Sequence, residues 1–443
     1  MSLLGPEVEE FLAEKDFDSL TALLKELLPV EILELIEALT ESSKIAIFDL
    51  LPLETACDVL ELMETQDAAS FLKLLPQSRA VKILNEMAPD ERADLFVLLP
   101  EKTGQHFLKL MEDEEAHDVE KLVAHPPDTA GGIMTTQFAW IPAEFTVAKA
   151  IDFLRDEEHS FDFYQVYILQ EKKLLGVVSL RELIVSPPST LVKKIMQKIP
   201  IVTMDMDQEK VARLIAKYNI PSIPVVNEKK ELQGIITVDD VVDVIEDENT
   251  EDMHRFGGAT PLSRDYFDVG ALGTAKSRFP WLVFLLLASF ISGFVIQKFS
   301  TALQSMVNLV IFIPVLLDCS GNAGMQAASV VIRGLATGEI QFTHIWRVIK
   351  KEFLIGILMG IGLGVLIALR SLPVEGSIVF GFTVGISMAT GIVIATTLGT
   401  LLPIIFQKLG VDPALMSGPL LTTFMDITSL LVYFSIAVKM LGI

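Results

Sequence analysis

The chain has 443 residues, of which 51% are hydrophobic and 21% charged, and its formal net charge is −23. This is longer than one ordinary domain of roughly 100–200 residues. Only six acidic and eight basic residues lie from Pro280 onward, so the acidic excess is confined to the chain before it. An acidic front half joined to an apolar back half excludes a purely soluble enzyme. It also disfavours nucleic acid as a partner, because an acidic surface repels phosphate, and it favours cations.

The cysteines and the amino terminus indicate a cytoplasmic front half. Cys57 and Cys319 are far apart in sequence, so neither a disulfide framework nor a C-x-x-C zinc motif is predicted. The opening residues, MSLLGPEVEEF, lack a basic segment followed by an apolar one, so we expect no cleavable signal peptide.

Residues 1–128 contain an internal repeat. The tripeptide Leu-Leu-Pro recurs at a spacing of 23 or 24 residues, at positions 27–29, 50–52, 74–76 and 98–100. A fixed period in this range is typical of stacked supersecondary units. Apolar residues between the prolines follow helical spacing, and each proline is expected to mark a helix end. The repeat therefore predicts an α-solenoid N domain, a module that usually acts as a scaffold.

Residues 129–243 contain a second repeat of about 60 residues. The segment LGVVS at 175–179 matches QGIIT at 233–237. Each copy has the order β-α-β-β-α, which resembles a pair of cystathionine-β-synthase (CBS) domains, an α/β regulatory module. The predicted helices are 147–154 and 211–218, and the predicted strands that follow them are 165–169 and 223–226.

The resemblance to CBS pairs implies a nucleotide site. Such pairs often hold the ribose and phosphate of an adenine nucleotide with a Ser/Thr-x-x-Asp motif, and the second copy contains one from Thr237 to Asp240. The first copy has Ser179 and Glu182 at the matching positions. The alternative is that Thr237 ends a strand and Asp240 caps the next helix. The implied ATP or AMP site consists of Thr237, Asp240 and a turn at Ile223 and Pro224.

Residues 244–279 form an acidic connection. The run IEDENTED at 245–252 contains five acidic residues, and Gly257 and Gly258 follow. A charge run is usually a solvated face. Its position between a regulatory module and a membrane domain nevertheless predicts an acidic connecting (plug) helix that takes part in control.

Residues 280–443 have the composition of an all-α membrane domain with five spans. Each apolar stretch can supply about 20 residues to cross about 30 Å of hydrocarbon. The second contains Pro314 and a glycine-rich sequence from Asp318 to Gly324. Glycine and proline at membrane depth free backbone groups, so we expect this helix to break and line a cavity. The predicted spans are 280–299, 302–335, 353–370, 377–406 and 413–438.

Basic residues predict the orientation of the membrane domain. Arg347, Lys350 and Lys351 lie between spans two and three, and Lys408 lies between spans four and five. The positive-inside rule places both loops in the cytoplasm. We therefore expect a multi-pass protein of the inner membrane, with its amino terminus in the cytoplasm and its carboxyl terminus outside.

Two carboxylates fall inside predicted spans. Burying Asp426 or Asp318 in lipid would cost several kcal/mol, so both are expected to face water, a partner or an ion. The alternatives are a structural hydrogen bond between Asp426 and Thr422, and a capping role for Asp318 at the helix break. The available ligands are hard oxygens, which suit Mg²⁺ held through retained waters and disfavour copper or zinc. Composition leaves Ca²⁺, Mn²⁺ and Na⁺ open.

The whole chain resembles the MgtE family of magnesium channels and transporters. The order of N domain, CBS pair, acidic connection and five spans matches that family. So do the motifs Pro314-x3-Asp318-x2-Gly321-Asn322-x-Gly324-x-Gln326, Leu409 to Ala414, and Thr423-x2-Asp426. Two positions depart from the family pattern, with Gly418 where Asn is frequent and Ser429 where Gly is frequent.

The resemblance implies a homodimer with a Mg²⁺ pore between the subunits. Asp426 would hold hydrated Mg²⁺, with Asn322 and the adjacent glycine carbonyls alongside, and Asp412 would belong to a metal site at the periplasmic membrane face. The implied pore site comprises Asp426, Asn322, Asp318, Gly321, Gly324 and Thr422.

The acids before the membrane domain predict a gate that cytoplasmic Mg²⁺ closes. Each pair of like charges at 4 Å costs about 1 kcal/mol in water. Several pairs can supply the roughly 5.5 kcal/mol that moves a two-state gate from 1:99 to 99:1. Divalent ions would cancel that repulsion, although Asn219 is neutral where the family often has an acid. The predicted regulatory ligands are Asp90, Asp94, Asp207, Glu209, Asp240, Asp243, Glu248, Glu251 and Asp252.

Other classes of function fit the sequence less well. A CBS-regulated anion transporter is disfavoured by acids and the lack of bases in the pore. A membrane-anchored nucleotide or Mg²⁺ sensor would not need five spans. No nucleophile–base pair or phosphate-binding glycine loop supports an enzyme. A transporter of another divalent cation, such as Mn²⁺ or Co²⁺, and coupled transport instead of a channel remain open on the sequence.

Overall fold

The computed structural model describes residues 5–156, 163–260, 269–411 and 418–443. The chain divides into two compact units, Met1–Glu246 and Asp247–Ile443.

The N-terminal unit begins with ten described short helices. They are α1 (Gly5–Glu14), α2 (Phe17–Leu24), α3 (Pro29–Glu37), α4 (Glu41–Leu50), α5 (Leu53–Glu61), α6 (Thr65–Leu72), α7 (Gln77–Glu86), α8 (Pro89–Leu98), α9 (Glu101–Leu108) and α10 (Asp113–Val123). Helix α3 packs against α5, α5 against α7, and α6 against α8. They enclose one apolar core, in which Ile32, Leu60 and Leu84 are buried. The predicted helical N domain is confirmed.

The repeated prolines mark helix starts, not the helix ends expected from the sequence. Pro29 is the first residue of α3, and Pro52, Pro76 and Pro100 immediately precede α5, α7 and α9. Proline suits these positions because its missing N–H would have no intrahelical acceptor there and its φ is already helical. The repeat period is therefore one pair of helices.

Two three-stranded sheets follow, as the predicted CBS pair requires. The first copy contains β1 (Trp140–Pro142), α11 (Val147–Asp156), β2 (Gln165–Gln170), β3 (Lys173–Ser179) and α12 (Leu180–Val185). After α13 (Val192–Ile195), the second copy contains β4 (Val202–Thr203), α14 (Gln208–Tyr218), β5 (Ser222–Val226), β6 (Leu232–Thr237) and α15 (Val238–Phe256). In each sheet the first strand pairs parallel to the second and the second pairs antiparallel to the third.

The two copies exchange backbone hydrogen bonds. Thr135, ahead of the first copy, pairs with Ile235 in β6 through N···O distances of 2.8 and 2.9 Å. Gln197, ahead of the second copy, pairs with Val177 in β3 at 2.8 and 3.0 Å. A β-carbon at Gly234 would stand 2.5 Å from the Thr135 carbonyl oxygen, so the close approach requires glycine. This explains the glycine shared by the two sequence repeats.

The second unit contains long apolar helices. They are α16 (Ala271–Lys298), α18 (Ile313–Ala336), α19 (Ile345–Glu375), α20 (Ile378–Lys408) and α21 (Gly418–Leu441), with α17 (Ser300–Ser305) and the 3₁₀ segments Val307–Phe312 and Phe342–His344 between them. Among the described residues, five helices are long and apolar enough to cross a membrane. The five predicted spans are therefore confirmed in number.

The second span breaks earlier than predicted. Helix α18 runs without interruption from Ile313 through Gly321 and Gly324 to Ala336. The irregular segment is Val307–Phe312, and Pro314 lies in the first turn of α18, where a missing N–H costs nothing. The predicted break at the glycines is wrong, because both glycines lie inside a regular helix and provide close helix contacts instead of free carbonyls.

The end of α15 is held against the membrane helices of the second unit. Gly258 follows α15 with φ of +72°, a left-handed conformation that favours glycine. A β-carbon there would stand 2.3 Å from Nε1 of Trp281 in α16 and 3.4 Å from Pro419 in α21. The sequence signal of Gly257 and Gly258 thus corresponds to a tight joint between the acidic helix and two spans.

Candidate metal sites

An acid cluster forms between the N domain and the second CBS copy, inside the N-terminal unit. Asp90 and Asp94 are four residues apart on α8, so their carboxylates share one face of the helix. Asp240, in the first turn of α15, acts electrostatically on both of them. Three predicted ligands from different domains are therefore brought together.

Burial leaves the cluster short of compensating positive charge. Oδ1 of Asp90 is buried and has no hydrogen-bond partner among the described residues. Burial first, and Asp240 second, raise the pKa of Asp90 to about 7. The same two causes raise the pKa of Asp94, whose edge stays exposed, to about 6. Burial also raises the pKa of Asp240. Each shift means that the charged form is unfavourable here until a cation compensates it.

Glu91 belongs to the same cluster and was missed from the sequence. Burial, followed by repulsion from Asp90 and Asp94, raises the pKa of Glu91 to about 8. The sequence Pro-Asp-Glu at the start of α8 looks like an ordinary acidic first turn. No local signal separates Glu91 from such a turn, because its burial comes from tertiary contacts.

The other predicted regulatory acids lie outside this cluster. Asp207 caps α14 by accepting a hydrogen bond of 3.2 Å from the backbone N–H of Lys210. Glu209 forms an ion pair with Arg213 one turn later on the same helix. Asp207 and Glu209 therefore have structural roles in α14.

The remaining predicted acids are on α15. Partial burial, followed by repulsion from Glu246 and Asp239, raises the pKa of Asp243. Glu251 forms an ion pair with Arg255. Glu248 and Asp252 lie on the same helix, which begins at Val238 in the second CBS copy and ends at Phe256, so the described part of the predicted connection at 244–279 is helical only as far as Phe256 before α16 begins.

Direct chelation is not arranged in the described ranges. No group of three His, Cys, Asp or Glu side chains there could hold a metal ion by direct contact. Mg²⁺ dehydrates reluctantly and usually keeps several waters, so a cluster of spaced carboxylates fits it better than a fully dehydrated ion.

The predicted nucleotide residues are partly committed to structure. Asp240 accepts hydrogen bonds from the backbone N–H of Thr237, at 3.1 Å, and from the Thr237 hydroxyl. Ser179 caps α12 in the first copy by accepting from the N–H of Glu182 at 3.2 Å. Ile223 and Pro224 lie in strand β5, so the turn expected there is wrong. This geometry matches the capping role weighed for the motif.

A polar line runs along α18 in the membrane unit. Asp318, Asn322 and Gln326 are spaced four residues apart and all are exposed. The Asn322 amide donates a hydrogen bond of 3.1 Å to Oδ1 of Asp318. Three polar side chains on one exposed face of an apolar span have no place against lipid tails. They require water, an ion or another protein surface.

Helices α18 and α21 meet beside this line. A β-carbon on Gly321 would stand 3.5 Å from Thr422, and one on Gly324 would stand 2.9 Å from Met425. Asp426 follows Met425 and lies one turn beyond Thr422, so it borders the same helix contact as Asn322. The predicted pore residues thus converge on one helix pair, although the two glycines take part by close packing.

The Asp426 carboxylate is half-buried and makes no hydrogen bond or ion pair with the described residues. The Thr422 hydroxyl donates to the carbonyl of Pro419 at 2.9 Å, so the alternative, in which it would donate to the Asp426 carboxylate, is not formed. An unpaired carboxylate in an apolar span is typical of a functional site.

Asp412 lies outside the described residues. The flanking helices α20 and α21 are the fourth and fifth of five spans. Four predicted spans separate the start of the first span from residue 412, so the sequence predicts both on the same side of the membrane. A periplasmic Asp412 does not agree with a cytoplasmic amino terminus, and the two sequence predictions exclude one another.

Family comparisons agree with this architecture. The family models described as "MgtE intracellular N domain", "CBS domain" and "Divalent cation transporter" match residues 27–128, 130–187 with 192–247, and 313–436. "Magnesium transporter MgtE" of Thermus thermophilus is 37% identical over 440 residues, which cover 98% of each chain. The protein of the same name from Bacillus subtilis is 42% identical over 324 residues, covering 72% of this chain and 71% of the relative.

A solved structure matches the front half. The crystal structure of the cytosolic domain of the Mg²⁺ channel MgtE in complex with ATP is 36% identical, with a TM-score of 0.51, and covers 54% of this chain and all of that one. Together with five apolar helices, these findings define a multi-pass membrane protein that transports Mg²⁺, not an enzyme. The chain belongs to the MgtE magnesium transporter family.

Proposed function

We propose that the chain carries Mg²⁺ into the cell across the inner membrane, along the polar line of α18 and past Asp426. The observation that carries this proposal is the exposed series Asp318, Asn322 and Gln326 beside an unpaired Asp426. Hard oxygen ligands with few charges suit an ion that keeps part of its water shell. The basic loops support an amino terminus in the cytoplasm and a carboxyl terminus outside.

The pore is formed between two copies of the chain. The polar face of α18 needs a cover that is not lipid, and a second α18 supplies one with the same chemistry. A second surface supports pairing in the N-terminal unit. There the apolar side chains of Ile184, Val185 and Val242 are 76%, 69% and 57% exposed. Apolar patches of this kind on a soluble unit mark interaction sites.

Cytoplasmic Mg²⁺ closes the pore by binding the acid cluster of Asp90, Glu91, Asp94 and Asp240. Without a cation, mutual repulsion and burial oppose the contact between the N domain and the second CBS copy. A divalent ion removes both penalties and favours the closed contact. The acids of α15 contribute to the same control.

The proposed gate is tested with neutral amides on the connecting helix. Replacing its three acids should leave conduction open at millimolar internal Mg²⁺, since the ion then lacks the carboxylates through which it would hold the closed state. Unchanged inhibition by internal Mg²⁺ in patch recordings would remove these residues from the gate. The substitutions are Glu248→Gln, Glu251→Gln and Asp252→Asn.

ATP binding at the CBS pair is a second proposal. The solved cytosolic domain at 36% identity contains ATP, which supports a nucleotide site in this chain. The Thr237 hydroxyl already donates a hydrogen bond to Asp240. A ribose hydroxyl would therefore either replace this hydrogen bond or bind to the two side chains as they stand. Thr237→Val should weaken ATP binding in calorimetric titration of the full chain. ATP binding as tight as in the wild type would exclude this residue.

Ion flux into liposomes that contain the purified chain tests the transport proposal. Mg²⁺ uptake that Asp426→Asn abolishes supports the pathway. Uptake of Mn²⁺ or Co²⁺ at the expense of Mg²⁺ would favour a transporter of another divalent cation. Absence of any flux would leave a membrane-anchored sensor.

A further inference from the structure

Two buried hydroxyls in the membrane unit differ from the others. Seven serine and threonine side chains are buried in the described spans. Five of them donate to a carbonyl three or four residues earlier in their own helix, at distances between 2.7 and 3.1 Å: Ser371, Thr383, Ser387, Thr396 and Thr400. A hydroxyl in an apolar span is usually satisfied in this way. The other two are Ser320 in α18 and Ser429 in α21.

Neither of these two hydroxyls has a partner in its own helix. Ser320 is 0% exposed, and its Oγ is buried without a hydrogen bond to any described residue. Ser429 is 5% exposed, and its hydroxyl also forms no hydrogen bond within the described ranges. Leaving a buried hydroxyl unpaired is unfavourable, so both side chains require a hydrogen-bond partner of another kind.

Both hydroxyls face the same glycine. A β-carbon on Gly391 of α20 would stand 3.0 Å from Oγ of Ser320 and 3.9 Å from Oγ of Ser429. Outside the backbone of α20, no other described atom lies within 4 Å of that position. The missing side chain therefore leaves a space where α18, α20 and α21 meet, and two unpaired hydroxyls line it.

We propose that Ser320 and Ser429 bind one buried water molecule in the space beside Gly391. A buried water makes about two to four hydrogen bonds and occupies polar cavities, whereas apolar ones stay dry. The two hydroxyls supply two of these bonds, each about 2.8 Å long. The backbone of α20 supplies a further acceptor, because a helical carbonyl has a second lone pair and Gly391 has no side chain to cover it.

This water lies behind the predicted pore residues. Ser320 is two residues from both Asp318 and Asn322, so it projects from the opposite side of α18. Ser429 follows Asp426 by three residues on α21. The water therefore joins the two helices that carry the polar line and Asp426, from the side away from that line. Ser320 and Ser429 are positioning residues, because they hold α18 and α21 together and do not touch the ion. The site does not depend on which ion is transported.

The thermal unfolding midpoint of the purified full chain distinguishes a water-bound hydroxyl from an unpaired one. If the water is bound, Ser320→Ala removes a hydrogen bond and should lower the midpoint by about 2–4 °C. If the hydroxyl is unpaired, the same substitution removes a buried polar group that has no partner, and the midpoint should rise. A midpoint that rises or stays unchanged overturns the proposal.

A double-mutant cycle tests whether the two serines share one ligand. In the Ser320→Ala background, Ser429→Ala should lower the midpoint less than it does in the wild type, because the shared water has already lost one partner. Ser371→Ala in α19 is the matched control. Its hydroxyl donates to the Ala368 carbonyl at 2.7 Å, so its effect should add to that of Ser429→Ala. Additive effects of Ser320→Ala and Ser429→Ala would exclude a shared water.

A density map and the cation dependence of the midpoint identify the occupant. A high-resolution map of the full chain should show one ordered water within hydrogen-bond distance of Oγ of both Ser320 and Ser429. A map in which the two hydroxyls bond to each other, or each to its own helix, overturns the proposal. So does a midpoint that rises with Na⁺ but not with K⁺ at equal ionic strength, and only when Ser320 is present, because the occupant would then be a cation. If Ser320→Ala does not fold, the wild-type map and Ser429→Ala decide.

Discussion

Gly399→Ala should displace α18 from its contact with α20. A β-carbon on Gly399 of α20 would stand 2.2 Å from the carbonyl oxygen of Gly324 in α18 and 3.0 Å from its carbonyl carbon. Ordinary carbon–oxygen contacts begin near 3.3 Å, so one helix must move by about 1 Å. Overpacking of this kind costs about 1–3 kcal/mol, and the helix preference of alanine over glycine returns up to about 1 kcal/mol.

The expected result is a net loss of up to about 3 kcal/mol in stability and a severalfold fall in Mg²⁺ flux. The assays are the thermal unfolding midpoint of the purified chain and Mg²⁺ uptake into liposomes. Gly362→Ala on α19 is the matched control, because nothing lies within 4 Å of its would-be β-carbon, and it should keep both properties. If Gly399→Ala and Gly362→Ala behave alike, the contact between α18 and α20 is not the close one that the argument requires.

Three more outcomes are expected. Asp426→Asn keeps the side-chain shape and removes the charge, so Mg²⁺ uptake should fall while the unfolding midpoint holds or rises; wild-type uptake would exclude the carboxylate from the pathway. Without Mg²⁺, the free energy of unfolding of the N-terminal unit should fall as pH rises from about 4 to about 8, as measured by denaturant titration. The reason is that Asp90 and Glu91, with pKa values raised to about 7 and 8, keep protons in the folded state that the unfolded state has released. A free energy of unfolding that rises over this pH range would contradict the burial of these two residues. Gly258→Ala forces alanine into a left-handed conformation and into a clash with Trp281, so inhibition by internal Mg²⁺ should weaken. Unchanged inhibition in patch recordings would show that the contact between Gly258 and Trp281 plays no part in closing.

Periodic features of the chain were predictable from sequence. The Leu-Leu-Pro period corresponds to one helix pair, and the strands at 165–169 and 223–226 lie inside β2 and β5. Hydropathy was sufficient to count five spans, because crossing a membrane needs a long apolar stretch whatever its neighbours are. Asp426 is a candidate site residue for the same reason, since a carboxylate in such a stretch is rare, and its role stays a prediction.

Features that depend on tertiary contacts were not predictable. Gly321 and Gly324 were expected to break a helix. Because they lack side chains, they instead allow α21 and α20 to pack closely against α18, and the sequence of α18 alone does not reveal this contact. Glu91 and Arg92 look like a solvated helix turn until the rest of the N domain buries them. Asp207 and Glu209 fit a metal-site pattern, but each is engaged within α14.

The backbone hydrogen bonds at Thr135–Ile235 and Gln197–Val177 make each CBS copy depend on the other for its structure. Each sheet is completed by a segment that belongs to the other copy, so a single copy expressed alone would carry an open sheet edge prone to aggregation. The smallest fragment of this region that can be expected to stay soluble therefore contains both copies and the segment ahead of the first. Moving one copy into another protein would therefore separate each sheet from the segment that hydrogen-bonds its edge.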